Sequence, residues 1–277
     1  MVKLINWNIA RRDDAWRSLL ETDADIALLQ EAAPPPADVA ERLDVDPAPW
    51  RTAGAGMNRP WRTAVVKLSS RIGVQWLEPK AVADALPGEL AVSRCGTLTA
   101  AIVTPSTGAP FIVVSMYAPW EKPHATTGSG WIYADGSVHR LISDLSALVG
   151  QQTGHRVIAA GDLNILHGHG EGGSAYWASR YATVFARMTA LGLPFVGPQA
   201  PAGRQAQPWP EELPVESANV PTYHTSHQTP ATATRQLDFV FASTDLAAHL
   251  RVCALNEIDH WGPSDHCRVV IELERSP

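Results

Sequence analysis

Short apolar runs that stop at polar residues dominate the hydrophobic pattern of this chain. The segments VKLINWNI (2–9), DIALLQ (25–30) and FIVVSMY (111–117) have the length and composition of buried strands. Further strand-like segments are predicted at 63–68, 72–77, 97–103, 235–243, 249–258 and 266–274. About ten strands, many in direct succession, predict two sheets packed face to face with helices outside.

Three helices are predicted from apolar residues at helical spacing. Their expected N-caps are Asp13 or Asp14, Ser137, and Ser174, and the expected stops of the last two are Gly150 and Gly192. Residues 197–234 are rich in Pro, Gln and Thr and predict a long irregular excursion. Polar candidates for a site lie on both sides of this excursion, so we expect a single domain over residues 1–277.

Composition excludes several classes of protein. The 277 residues are 45% hydrophobic and carry 22 Lys+Arg against 28 Asp+Glu, a formal net charge of −6. Such a chain is neither disordered nor suited to binding nucleic acid through bulk positive charge, and no apolar run is long enough to span a membrane. Three cysteines are too few for a disulfide scaffold, and the first residues lack the pattern of a signal peptide. We therefore expect a cytoplasmic protein.

Polar side chains follow four of the predicted strands at the point where each strand ends. They are Asn6-Trp7-Asn8, Gln30-Glu31, Gly161-Asp162-Leu163-Asn164 and Ser264-Asp265-His266, and a fifth polar residue, Asp238, lies inside the strand RQLDFVF. A single carboxylate in such a place is most simply a structural hydrogen-bond acceptor. Four of them are better explained by convergence on a shared cation.

The residue types in this set indicate the chemistry. Oxygen ligands favour Mg²⁺, Mn²⁺ or Ca²⁺ over zinc. A histidine beside the acids can orient a water molecule or donate to a phosphoryl oxygen, and Tyr117 at a strand end adds a further donor. The set therefore predicts metal-assisted hydrolysis of a phosphoester.

Six short motifs, in order along the chain, resemble those of the endonuclease/exonuclease/phosphatase superfamily. They are INWNI, LLQE, SMYAP, GDLN, RQLDFVF and SDHC, and together they extend from residue 5 to residue 267. This superfamily includes deoxyribonucleases, apurinic-site endonucleases, sphingomyelinases and inositol polyphosphate phosphatases. The resemblance implies an α/β fold, a four-layer α/β/β/α sandwich of two packed mixed sheets with outer helices.

The resemblance also implies a metal site. Glu31 matches the principal metal-ligating glutamate of the superfamily, and Asn8 and Asp265 match accessory positions that ligate or contact the metal. The expected cofactor is Mg²⁺, with Mn²⁺ as an alternative.

Catalytic roles follow from the same resemblance. His266 matches the essential histidine, and Asp238 matches the carboxylate that orients it. Asp162 matches the aspartate that activates water or protonates the leaving oxygen, Asn164 matches the amide that holds the phosphate or the nucleophile, and Tyr117 matches a tyrosine of apurinic-site endonucleases.

The chain departs from the apurinic-site pattern after this tyrosine. Those enzymes continue with a proline and an asparagine, whereas here Trp120 replaces the amide. Trp120 either stacks on a base or sugar of the substrate or packs against its own loop.

Two segments near the motifs offer further candidates for substrate contact. The Gly- and His-rich loop 165–173 contains His167, His169 and Glu171, and the segment before Asp238 contains His224, His227 and Arg235. Both segments are alternatively ordinary irregular loops. Arg11 and Arg12, which follow Asn8 closely, either meet a phosphate or lie on the surface at a helix start.

The predicted function is that of a Mg²⁺-dependent phosphodiesterase whose leading substrate class is nucleic acid. One alternative is a phosphatase or phosphodiesterase that acts on a small phosphorylated metabolite or a lipid headgroup, which the acidic composition favours. Another alternative is a non-catalytic binding protein on the same scaffold.

Overall fold

Two six-stranded sheets form the centre of the fold in a computed structural model that describes residues 1–53, 58–121, 133–149 and 154–274. The first sheet has the strand order β13 (Leu250–Ala254), β14 (Val269–Leu273), β1 (Val2–Asn8), β2 (Ile26–Ala32), β4 (Arg62–Lys67) and β3 (Asp44–Val45). The second has the order β11 (Phe195–Gly197), β12 (Asp238–Ala242), β10 (Val157–Asp162), β9 (Phe111–Tyr117), β8 (Leu98–Pro105) and β5 (Ile72–Leu77). The short strands β6 (Pro79–Ala81) and β7 (Leu90–Val92) pair with each other.

Both six-stranded sheets are mixed. In the first sheet β1 runs parallel to β2, in the second β9 runs parallel to β10, and the other pairs within these two sheets are antiparallel. Parallel neighbours bring their carboxyl ends to the same edge, so the polar residues that end β1, β2, β9 and β10 gather along one edge of the pair of sheets.

Apolar side chains from both sheets fill the space between them. Leu28 and Ile271 of the first sheet pack in one cluster with Val113 and Val240 of the second, and all four are fully buried. Each such side chain contributes roughly 1.5–3 kcal/mol of burial free energy. The largely buried central strands β1, β2, β9 and β10 therefore form one core with the side chains between the sheets.

Helices cover the outer faces of the sheets. These helices are α1 (Asp13–Leu19), α2 (Ala37–Ala40), α3 (Ala134–Val149) and α4 (Ala175–Ala190). The short helix α5 (Thr244–Ala247) instead places Leu246 in the cluster between the sheets. Leu141 of α3 and Val184 of α4 belong to the core on the outer side of the second sheet, and Trp16 and Leu19 of α1 pack on the first. The resulting order of layers confirms the predicted α/β/β/α sandwich.

Two of the predicted helix starts are wrong. Arg12, in an extended conformation, occupies the N-cap of α1, and Asp13 is already helical because left-handed residues turn the chain just before it. Helix α3 begins at Ala134 rather than after Ser137, directly behind the backbone pair of Tyr133 with Glu121. The expected stop Gly150 lies outside the described residues.

The remaining helix prediction is confirmed. The side chain of Ser174 accepts a hydrogen bond from the backbone N–H of Trp177, which caps α4, and Gly192 follows the helix with a φ of 75°. None of the helices in the described ranges combines the length and the apolarity that a bilayer span requires.

Candidate active site

Three neighbouring strands of the second sheet place polar side chains at the same level. In the strand register Asp162, the last residue of β10, pairs with Tyr117 at the end of β9 and with Asp238 at the start of β12. Because β12 runs antiparallel to β10, the first residue of β12 lies opposite the last residue of β10. The sheet therefore places side by side residues that are 45 and 76 positions apart in the sequence.

His266 lies between two buried carboxylates. Its Nδ1 is 2.8 Å from Oδ2 of Asp238 and its Nε2 is 3.8 Å from Oδ2 of Asp162, and only 4% of the residue is exposed. Burial alone lowers the pKa of His266, but the charges of Asp238 and then Asp162 outweigh it and raise the pKa to about 10. The imidazole is therefore a cation at neutral pH.

The Asp162 carboxylate accepts three hydrogen bonds from residues around His266. It accepts from the Asn8 Nδ2 at 2.9 Å, from the Asn164 backbone N–H at 3.1 Å and from the Asn164 Nδ2 at 3.2 Å. The bond from Asn8 joins the two sheets. Burial, with the neighbouring charges of Asp238 and Glu31, raises the pKa of Asp162 to about 7, against the lowering effect of His266 and Asn8.

Glu31 stands at a bulge of β2, where the pairing with β4 shifts register between Leu29 and Ala32. Its φ of 45° is left-handed, which is uncommon for a residue with a side chain and frequent at functional sites. The carboxylate accepts a hydrogen bond from the Tyr117 hydroxyl at 3.0 Å. Burial, followed by the charges of Glu31 and Asp162, raises the pKa of Tyr117 well above its ordinary value, so the phenol stays a donor.

The predicted metal ligands offer oxygen atoms, the donor type that a hydrated hard cation prefers. Across the described ranges no three His, Cys, Asp or Glu side chains group closely enough to hold an ion by themselves. This corrects the expectation that all four acids share one cation, because Asp162 and Asp238 flank His266 instead. Glu31 and Asp265 remain, with the amide of Asn8, and Mg²⁺ typically takes one or two carboxylates and keeps several waters.

Tyr223 belongs to the candidate site, although no sequence pattern singles it out. Its ring lies 4.8 Å from the His266 ring between centroids, and its backbone pairs with His266 and with Arg235. Burial, then the charges of Asp265, Asp162 and Glu31, raises its pKa. A strand-like residue within an excursion predicted to be irregular carries no recognisable signal, so only the tertiary pairing identifies it.

The backbone of His266 is fixed by two further side chains. The indole Nε1 of Trp7 donates to the carbonyl oxygen of His266 at 2.9 Å. The Ser264 hydroxyl donates to the carbonyl oxygen of Asn8 at 2.7 Å and accepts from the His266 backbone N–H at 3.2 Å. The last motif is thereby attached to the first strand.

The histidines of the Gly- and His-rich loop 165–173 contact helix α4, the excursion 197–234 and the loop itself. The His167 ring packs 4.6 Å from Phe185 between centroids, and its Nδ1 is 3.1 Å from the Asn219 Oδ1. The ring contacts and side-chain hydrogen bonds of the described residues do not join His167 to the His266 cluster. His169 Nδ1 bonds the His167 carbonyl oxygen at 3.1 Å.

The other candidates for substrate contact differ in how freely they can reach a ligand. Arg235 donates to Glu171 through both terminal nitrogens, at 2.9 and 3.4 Å, so its guanidinium already has a partner. His224 donates its backbone N–H to the Asp265 carbonyl oxygen, and its ring lies 5.5 Å from Trp261 between centroids. Trp120 is 49% exposed, three residues beyond Tyr117.

Comparison with known proteins agrees with this architecture. The model of the Endonuclease/Exonuclease/phosphatase family matches residues 5–266. No curated protein sequence matches the chain.

Solved structures with the same fold include three that cover nearly the whole chain. The endonuclease domain of TRAS1, a telomere-specific non-LTR retrotransposon, is 14% identical with a TM-score of 0.61 and full coverage of both chains. The AP endonuclease LMAP from Leishmania major is 16% identical with a TM-score of 0.63, covering 99% of this chain and 88% of its own. The 3′ phosphatase NExo from Neisseria, bound to a product DNA hairpin, is 16% identical with a TM-score of 0.55, covering 99% and 100%.

Proposed function

Because the chain belongs to the Endonuclease/Exonuclease/phosphatase family and is thereby a phosphoesterase, we propose that it is a divalent-metal-dependent phosphodiesterase that hydrolyses nucleic acid. The observation that carries the proposal is the buried His266 held between Asp238 and Asp162, beside Glu31 at the edge of the sheets. Replacing a buried ion pair by well-packed apolar residues is often neutral or stabilising, so stability alone does not account for a buried cation flanked by acids.

Each residue of the cluster has a task in this proposal. Protonated His266 donates to a phosphoryl oxygen and stabilises the charge that develops there, a contribution on the order of 3 kcal/mol for one well-placed donor. Asp162, with a pKa of about 7, is suited to move a proton at neutral pH. Asn164 holds the phosphate or the nucleophile, and neutral Tyr117 donates a further hydrogen bond.

Glu31, with Asn8 and Asp265, would hold the metal ion. Bound there, Mg²⁺ or Mn²⁺ neutralises charge on the phosphoryl oxygens. Hydrogen-bond donation and proton transfer are assigned to the side chains named in the preceding paragraph.

The substrate class is proposed from the related structures and from the rim of the site. An endonuclease domain, an AP endonuclease and a 3′ phosphatase bound to a DNA hairpin share the fold. Exposed Trp120 offers a ring on which a base can stack, and such stacking contributes about 1–3 kcal/mol per base. His167, His169, His224 and Arg235 remain proposed contacts of the loops around the site, and of these Arg235 would first have to leave Glu171.

The test replaces the two residues on which the proposal depends most. We expect Glu31→Gln and His266→Gln to lower kcat by at least about 100-fold on bis-p-nitrophenyl phosphate with Mg²⁺. Matched controls are Glu41→Gln and His260→Gln, because both of these residues are exposed. Wild-type turnover in either site variant, with the fold intact by circular dichroism, would contradict the assigned roles.

A second candidate function is removal of a terminal or small-molecule phosphate. The 3′ phosphatase among the solved structures and the net charge of −6 favour it. Plasmid, abasic and single-stranded DNA should be assayed beside a panel of phosphomonoesters and lipid headgroups. Release of inorganic phosphate without any strand cleavage would support the second candidate. Absence of both activities and of Mn²⁺ binding would contradict both enzyme proposals and leave the non-catalytic alternative.

A further inference from the structure

The loop that joins β1 to α1 is docked against the end of β2. The backbone N–H of Ile9 donates to the Gln30 carbonyl oxygen and that of Arg11 to the Glu31 carbonyl oxygen, both at 3.0 Å. Ala10 and Arg11 have φ values of 46° and 62°, so two consecutive residues with side chains are left-handed. Each costs roughly 1–2 kcal/mol relative to a right-handed residue. The chain thus accepts strain to place Arg11 beside Glu31.

The guanidinium of Arg11 makes only one long ion pair in this position. Its Nε lies 3.6 Å from the Glu31 Oε2, and 57% of the side chain is exposed. Within the described residues its two terminal nitrogens make no hydrogen bond, whereas Arg235 uses both of its own on Glu171. The charge nevertheless reaches the site, because Arg11 acts on Tyr117 to lower the pKa that burial and Glu31 raise.

We propose that Arg11 competes with the divalent ion for the Glu31 carboxylate and, when the ion is bound, turns its free terminal nitrogens to a phosphoryl oxygen of the substrate. The inference rests on the proposed function. Two cations cannot share one carboxylate without repulsion. A guanidinium fork matches the geometry of a phosphate, which gives the displaced Arg11 a new partner beside the ion.

The experiment measures Mn²⁺ affinity and substrate affinity separately in the full chain. Calorimetry on EDTA-stripped protein at low salt should show that Arg11→Gln binds Mn²⁺ about threefold more tightly than wild type. Steady-state cleavage of a single-stranded oligonucleotide should show a KM raised about tenfold with kcat changed less than twofold, because the lost contact is made equally in the ground and transition states. A merely structural role for Arg11 would not tighten metal binding.

Two further variants sharpen the test. Arg12→Gln removes an equal charge from the neighbouring exposed residue and should change neither constant. Arg11→Lys keeps the charge and should keep the wild-type Mn²⁺ affinity while still raising KM, because an ammonium lacks the fork.

The results for Arg11→Gln and for the wild-type protein test the Arg11 inference and the proposed function separately. An Arg11→Gln variant with unchanged Mn²⁺ affinity, or with unchanged KM, overturns the inference while wild-type binding and cleavage uphold the proposed function. Failure of the wild-type protein to bind Mn²⁺ or to cleave any phosphodiester overturns both.

Discussion

The charge state of His266 depends strongly on the folded structure. In an unfolded chain its imidazole would be mostly neutral above pH 7, whereas between Asp238 and Asp162 its pKa is raised to about 10. The folded state therefore binds a proton that the unfolded state releases. Stability should fall with rising pH across the interval between the two pKa values.

This linkage gives a prediction about stability. The contribution of His266 is complete below its unfolded pKa of about 6.5 and is lost as the pH rises through about 10. The raised pKa of Asp162 also makes the unfolding free energy fall as the pH rises, but this contribution is complete near pH 7. In EDTA, the urea-unfolding free energy should therefore fall between pH 7.5 and pH 9, by up to about 1.4 kcal/mol per unit.

The matched variant for this measurement is His266→Gln. It should show a flatter dependence of the unfolding free energy on pH over the same interval. Equal slopes in the variant and the wild type would mean that other groups govern the pH dependence.

Strands β9 and β10 approach each other closely at a single glycine. A Cβ added to Gly161 would overlap the backbone carbonyl of Met116, which cannot move without disturbing the ladder. Asp162 follows Gly161 directly, so the same approach sets the position of the site aspartate against Tyr117. Glycine is thus required here by the spacing of two strands.

We expect Gly161→Ala to lower the unfolding free energy by about 3 kcal/mol, the upper part of the usual range for overpacking. Gly73→Ala in β5 is the matched control, because its Cβ would make only ordinary contact with Thr104. Urea denaturation of both variants measures the difference. Equal stability of the two variants would show that β9 and β10 can separate without cost.

The elements that the sequence predicts best are the long apolar strands. Segments 25–30 and 111–117 match β2 and β9 closely, because full burial on both faces leaves an uninterrupted apolar run. Strands β3, β6, β7 and β11 have two or three residues each and offer no periodicity to detect. Pairing with neighbours, rather than their own composition, makes them strands.

The sequence allowed the candidate site residues to be named, but not their backbone conformation or their contacts with one another. Ordered motifs selected Glu31 and His266, because Glu31 lies at the end of a recognisable strand and His266 lies shortly before one. The left-handed backbone at Glu31 and the ring of Tyr223 over His266 depend on tertiary contacts that no local pattern encodes. The ion pair of Arg235 with Glu171 is likewise visible only in the folded chain.

At the scale of the whole molecule, contacts between distant parts of the chain hold the two sheets together. Gln30 donates to Asn6 of its own sheet and to the Ser115 hydroxyl of the other, and Ser115 donates to the Leu29 carbonyl oxygen. Together with the shared apolar core, this network couples the sheets. We propose that residues 1–277 form one cooperative domain.

The proposal predicts one unfolding transition. Far-ultraviolet circular dichroism and tryptophan fluorescence should report the same urea midpoint, because the apolar cluster between the sheets needs side chains from both of them. The ten tryptophans make the fluorescence signal strong. Separate midpoints for the two probes would show that the sheets unfold independently and would refute the single domain.

The attachment of His266 to the first strand has a consequence for biosynthesis. Trp7 bonds the carbonyl of a residue 259 positions later, and Ser264 bonds Asn8 across 256 positions. The arrangement proposed for catalysis therefore cannot assemble on the ribosome until residue 266 has emerged from the exit tunnel. Under the proposed function, fragments that end before Ser264 should be inert, because they lack both attachments of the last motif to the first strand.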